Sequence, residues 1–196
     1  MLSRTVGKIT FHFEPLLVLG ALVVIILLVQ IIRSVFLEIR FRKVCNDLVA
    51  GQYDDVIKNG VNLLSLYKKY NARLSTKQIS SRIEYVNFSL SVSYFAKSNY
   101  ACFLLHINAL ATNADVKEFW LALYYLKEQD FESAQEHYDL ITCDKSNYVN
   151  RTFLDAYQAY IKQEMECAQK AMTKVVDQLK HPVLKQLADN ILNKKV

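Results

Sequence analysis

The chain has 196 residues, 24 basic and 19 acidic side chains, and a net charge of +5. Its four glycines and two prolines fall far below the roughly 12% usual for Gly plus Pro. That excludes collagen-like and Gly/Pro-rich disordered chains and leaves too few turn residues for a β-sandwich or barrel. Hydrophobic residues make up 52% of the chain and aromatic residues 12%, enough for a packed core, and the composition points to an all-α protein.

Residues 1–14 read as a short N-terminal tail. From Pro15 to Ile32 the chain carries no formal charge, and Gln30 is the only strongly polar residue. Continued through Val35, Phe36 and Leu37 as one helix, residues 15–37 reach about 34 Å at ~1.5 Å per residue, enough to cross a hydrocarbon core of about 30 Å. Pro15 suits a first helical turn, where its missing N–H costs nothing, and Arg33 is placed to snorkel to the headgroups. The run is longer than the roughly 7–15 residues of a cleaved signal peptide, and Arg33-Ser34-Val35-Phe36-Leu37 offers no small-residue cleavage site. A surface helix would need a polar face, which the run lacks. The segment therefore reads as a transmembrane signal anchor. Arg4 and Lys8 precede it, whereas Arg33, Arg40, Arg42 and Lys43 follow it, so the excess of positive residues places the larger part of the chain in the cytoplasm. Cys45, Cys102, Cys143 and Cys167 show no CxxC and no framework spacing, in keeping with thiols in a reducing compartment.

No Gly or Pro lies between Gly20 and Gly51, so nothing local ends the helix at the membrane surface. A stalk helix over residues 38–50, continuous with the first hairpin, is expected, with Arg40, Arg42 and Lys43 facing anionic headgroups at about 1 kcal/mol each.

Residues 51–181 read as helical hairpins. The clearest is Leu121 to Tyr138, where apolar residues recur three and four apart on both sides of a polar Lys127–Asp130 turn. Leu121, Ala122, Tyr125, Phe131, Ala134, Tyr138 and Ile141 fill, in order, the places of a tetratricopeptide repeat, which this unit resembles. Gln129 stands where the family has a turn glycine, and the closing proline is missing. Leu90, Ser91, Tyr94, Tyr100 and Leu110 fit a second unit, with Phe103 where Ala is usual. Ala156, Ala159, Met165, Ala168, Met172 and Val175 fit a third. Gly51, Tyr53, Val56 and Leu63 fit one near the stalk. The resemblance covers residues 44–180 and implies an α-α superhelix of TPR-like hairpins. Between the first two units a linker is expected around residues 70–77, with Ser75 or Thr76 capping the helix after it. Residues 182–196, beginning with Pro at a helix start, read as a C-terminal helix that caps the stack.

No catalytic constellation stands out. Cys102 and His106 lie four apart on a predicted helix but supply two ligands, short of the three or four that zinc takes. There is no HExxH, no glycine-rich phosphate loop and no GxSxG. Neither an enzyme, nor a cofactor, nor a metal site is expected. From residue 43 onward 19 basic and 17 acidic side chains nearly cancel, without the basic stripe of a nucleic-acid binder.

In the family it resembles, the first helix of each hairpin lines a concave groove. Carrying that register over gives Tyr85, Phe88, Val92 and Phe95, then Val116, Phe119, Leu123 and Leu126, then Asn150, Phe153, Tyr157 and Tyr160. All but Asn150 are apolar or aromatic, a strip that is costly to leave wet and suited to gripping a partner peptide or helix. The same strip is also consistent with a groove closed by the chain's own stalk or C-terminal helix, or filled by a lipid or other apolar ligand. The expected role is a membrane-anchored interaction scaffold or assembly factor, the alternative a structural subunit of a membrane complex with a self-filled groove.

Overall fold

The computed structural model describes residues 15–70 and 76–194, and these are helical wherever they are regular. The expectations for the 1–14 tail, with Arg4 and Lys8, and for a cap at Ser75 lie outside the described residues. The chain falls into two compact units, one up to Ile39 and one from Arg40 onward.

Helix α1 is Pro15–Val49. Within the first unit every side chain from Val18 to Phe36 is exposed. The helix carries a window of mean hydropathy 2.6, none of it buried by the chain, so it is long and apolar enough to cross a membrane.

The second unit holds the end of α1 and eight further helices among the described residues: α2 Tyr53–Tyr70, α3 Thr76–Ala96, α4 Tyr100–Ile107, α5 Ala114–Lys127, α6 Phe131–Asp139, α7 Tyr148–Ile161, α8 Met165–Thr173 and α9 Pro182–Leu192. A 3-10 turn, Val176–Gln178, precedes α9. They form antiparallel hairpins stacked in sequence order. The four post-turn aromatic or Met positions, Tyr53, Tyr100, Phe131 and Met165, are each the first residue of a hairpin's second helix.

The four hairpin turns are built alike. Two residues before each of those positions the backbone turns left-handed: Gly51 (φ 70°), Ser98 (58°), Gln129 (63°) and Gln163 (66°). The left-handed residue donates its N–H three residues back, as Gln129 does to the Leu126 carbonyl (3.1 Å), and the next residue donates five back, as Asp130 does to Tyr125 (2.9 Å). This is a Schellman ending, which satisfies carbonyls that the helix leaves unpaired. Asn99 and Asp130 then cap the following helix by accepting from the N–H groups of Cys102 and Ser133. Three of the four turns thus place a side chain where glycine is the natural choice.

Residues twelve apart face each other across each hairpin. Val44 and Val56, Ser91 and Phe103, Ala122 and Ala134, and Ala156 and Ala168 are all buried. A second layer also lies twelve apart. Asn59 donates to Asp47 at 3.0 Å. Tyr94 stacks on His106 at 5.6 Å and Tyr125 on His137 at 5.2 Å, both nearly parallel. The fourth hairpin has Ala159 and Ala171 in these places. Helix α3 is packed between α2 and α4 and solves its polar burial locally. The hydroxyls of Ser89, Ser91 and Ser93 donate to carbonyls three or four residues back at 2.7–2.8 Å. Gly60 of α2 sits against α3 so closely that a Cβ there would meet Leu90 Cδ2 at 2.9 Å.

A left-handed non-glycine residue costs about 1 kcal/mol or more, and changes of that size move the Tm of a chain this long by about 2–4 °C. Gln129→Gly and Gln163→Gly are expected to raise the thermal midpoint of the detergent-solubilised protein by a shift of that order. Gly51→Ala is expected to lower it.

Candidate functional site

The predicted groove is largely filled by the chain itself. Val92, Phe95, Phe119, Leu123, Leu126, Phe153 and Tyr157, predicted to grip a partner, are buried. Phe119 meets Phe153 at 6.0 Å, and Phe153 stacks on Tyr157 at 6.3 Å. These side chains are core and present no surface to a partner.

Part of the filling comes from the C-terminal segment, in which Leu179, Val183 and Leu184 are buried. The His181 ring lies edge-on to Phe88 (6.5 Å) and Trp120 (5.6 Å). Pro182 Cβ comes to 3.9 Å of the position a Cβ on Gly51 would take. At the other end of α9, Gln169 donates to the carbonyls of Ile191 (3.2 Å) and Lys194 (2.9 Å), and the Lys194 ammonium lies 4.9 Å from the half-buried Tyr160 ring. His181 serves α9 as its N-cap, with Nδ1 accepting from the Val183 N–H at 3.3 Å, while its buried Nε2 has no partner. Desolvation lowers the imidazole pKa to about 4, so the plug is a neutral ring on an aromatic face. Burial likewise pushes the Tyr157 phenol up to about 12.

One part of the face stays open. A pocket of about 290 Å³ lies between α3, the α4–α5 loop and the start of α5, with Tyr85, Phe88, Leu110 and Val116 as its apolar lining and Ser81, Glu84, Thr112 and Asn113 as its polar one. Tyr85, at 37% the most exposed of the predicted groove residues, packs against Phe41 (5.5 Å) and Phe88 (6.3 Å). Burial raises its phenol pKa, helped by Cys45. Glu84 braces the pocket wall by accepting from the N–H groups of Ala111 (3.1 Å) and Thr112 (2.9 Å) and from the Thr112 hydroxyl, bonds that pull its carboxyl below the usual range. One hairpin on, Asp115 does the same for Thr142 through its N–H (2.8 Å) and hydroxyl (2.9 Å). The groove register finds Tyr85, Phe88 and Val116. It misses Leu110, Thr112 and Asn113, which sit at the end of the hairpin and in the loop after it, where helical periodicity carries no information.

The other titratable groups serve the hairpins. His106 Nδ1 is 2.9 Å from Asn87 Oδ1, and burial and then Lys68 lower its pKa. Glu118 Oε2 is 2.6 Å from His137 Nδ1. Cys102 is half-buried. Among the described residues no three His, Cys, Asp or Glu side chains gather where a metal ion would sit. No family model, no curated protein and no solved structure matches this chain.

Removing a buried aromatic ring costs about 3–5 kcal/mol. Phe119→Ala and Phe153→Ala are therefore expected to lower the denaturation midpoint severely, whereas Tyr85→Ala changes stability by about 1 kcal/mol or less, as exposed sites do. The His181 ring adds a pH dependence. Below about pH 6.5 the unfolded chain binds a proton that the folded ring refuses until about pH 4. Its contribution, on the order of 3 kcal/mol at about 1.4 kcal/mol per unit, is present above that window and lost as the pH falls through it. His181→Asn, which keeps a capping oxygen, is expected to flatten that decline in chemical denaturation measured across the window.

Proposed function

We propose that this is a membrane-anchored interaction scaffold of TPR-like hairpins, a binding protein and not an enzyme, which receives one apolar side chain of a partner peptide or helix in the Tyr85–Phe88–Val116 pocket. The observation that carries this is the pocket itself: an open, mainly apolar cavity on a face that is largely closed. Its volume of about 290 Å³ is at the lower limit of small-molecule sites, roughly 300–1,000 Å³, and suits a single large side chain. Tyr85 and Phe88 offer rigid aromatic walls, which grip at low entropic cost.

Residues 15–37 are proposed as the membrane span. Arg33, Arg40, Arg42 and Lys43 lie on its cytoplasmic side and bind anionic lipid headgroups, so the helical unit is cytoplasmic. Anchoring raises the partner's effective concentration, which lets a single shallow pocket suffice. A second reading has an observation in its favour. Burial of Phe119, Leu123 and Phe153 fits a structural subunit with a self-filled groove that presents its outer surface to a membrane complex.

A photo-crosslinking residue at Tyr85 separates the two in intact cells, with the same residue at exposed Leu105 as control. The scaffold reading expects one discrete adduct from position 85, lost with Val116→Arg. Adducts from position 105 alone favour the structural subunit. An impermeant thiol reagent added to the same cells is expected to leave exposed Cys143 and Cys167 unlabelled until lysis.

A further inference from the structure

Gln30 is the one strongly polar residue in the uncharged run from Pro15 to Ile32, and its side chain is exposed on α1. In a span over residues 15–37 the middle falls at Ile26, so Gln30 lies about 6 Å from the midplane at ~1.5 Å per residue. The edge of a hydrocarbon core of about 30 Å is then roughly 9 Å further out, beyond the reach of a glutamine side chain. Water is absent at that depth, and the backbone groups nearby are already paired within the helix. The carboxamide has two N–H donors and a carbonyl acceptor to satisfy, and leaving them bare in hydrocarbon is costly. Every side chain from Val18 to Phe36 is exposed, so the partner of Gln30 must come from outside this chain.

The rest of the span favours the face on which Gln30 lies. Gly20, Val23, Leu27, Gln30 and Ser34 are spaced alternately three and four residues apart, the seam along which two helices pack. Besides Ala21, the small residues of the span are Gly20 and Ser34, and both fall on that seam. Gly20 leaves it open, since among the described residues no atom beyond the neighbouring helix backbone lies within 4 Å of the place a Cβ would take. The opposite face carries Leu22, Ile25, Val29 and Ile32, all bulky and apolar. In lipid, helices associate where small residues let backbones approach and where side chains such as glutamine bond across the interface.

We infer that α1 pairs in the membrane with α1 of a second copy of this chain, along the Gly20–Val23–Leu27–Gln30–Ser34 seam, with the two Gln30 carboxamides bonded to each other. The second copy is the occupant because a carboxamide is its own complement: the NH2 group of one donates to the carbonyl oxygen of the other. Copies of one chain also insert with the same orientation, so their Gln30 side chains reach one depth with nothing more to specify. A two-fold pair then brings the seam onto itself. The inference rests on the reading of residues 15–37 as a membrane span, and a label on the outer face of α1 reports the span separately.

The test uses the full chain in phosphatidylcholine vesicles. In one set of samples exposed Cys143 is the sole cysteine, the others being serine, and carries a donor or an acceptor fluorophore. Energy transfer between copies, followed as the protein is diluted in lipid, reads pairing. Gln30→Leu is expected to weaken pairing about 3- to 30-fold, the range of hydrogen bonds between helices in lipid. In a second set all four native cysteines are serine and single cysteines are placed in the span. Leu27→Cys and Ser34→Cys are expected to form oxidative crosslinks several-fold more readily than Ile25→Cys and Ile32→Cys. A fluorophore on Ile25→Cys, quenched by acyl-chain nitroxides, reports the span. If that label is quenched while energy transfer is absent, or is unchanged by Gln30→Leu, or the crosslinks are alike on both faces, the pairing is overturned and the span stands. If the label escapes quenching, both are overturned.

Discussion

The helical unit depends on the close approach of two helices at residues twelve apart along the chain. Ala122 against Ala134 and Ala156 against Ala168 allow backbones to meet with little side chain between them, and Val44 against Val56 uses only slightly more volume. The second hairpin departs from this, with Phe103 opposite Ser91. The serine there is the compensating small residue, and its hydroxyl turns back onto its own helix at the Phe88 carbonyl, so that hydroxyl is not buried as an orphan. Because interiors are close-packed, this volume exchange fixes how far each first helix stands from its second, and through that how the hairpins stack.

Stacked hairpins of this kind leave one apolar face to be covered. Here the covering comes in part from the C-terminal segment, which buries Leu179 and Val183 and brings His181 onto Phe88 and Trp120 of the first helices. Each large apolar side chain removed from water contributes about 1.5–3 kcal/mol, so a closed face stabilises the unit far more than an open groove would. What stays open is the stretch around Tyr85, where the lining passes from helix faces to the α4–α5 loop.

Much of this was legible in the sequence. The repeat register, with Tyr53, Tyr100, Phe131 and Met165 in its units, located the second helices, and a C-terminal helix from residue 182 was visible from its proline, although it ends at Leu192. The left-handed turn at Gln129 was marked only by the repeat register, which puts it at the turn glycine, and those at Ser98 and Gln163 were not marked, because nothing local singles out a serine or glutamine for positive φ. They are set by the helices on either side. The stacked Tyr94–His106 and Tyr125–His137 pairs carry a signal, since both residues recur 31 positions apart, but it shows only once the hairpin register is fixed. The buried stripe of α9 (Val183, Leu184, Ala188, Ile191) belongs to the helix that the sequence marked only as a cap on the stack. Which surface it meets is a long-range matter: α9 packs on α8, while His181 just before it reaches Phe88 and Trp120.

The order of synthesis gives that arrangement a further meaning. The ribosome makes Leu179–Val183 and α9 after all four hairpins, so until they emerge the face they help to cover lacks part of its own lid. A chain that stops early, or is clipped after Thr173, would leave aromatic side chains such as Trp120 and Phe88 short of their neighbour, and exposed apolar surface of this sort is what chaperones and proteases recognise. Leu179–Val183 thus act as a cover for the aromatic face, and a copy cut before them would meet the cell's quality control with that face bare.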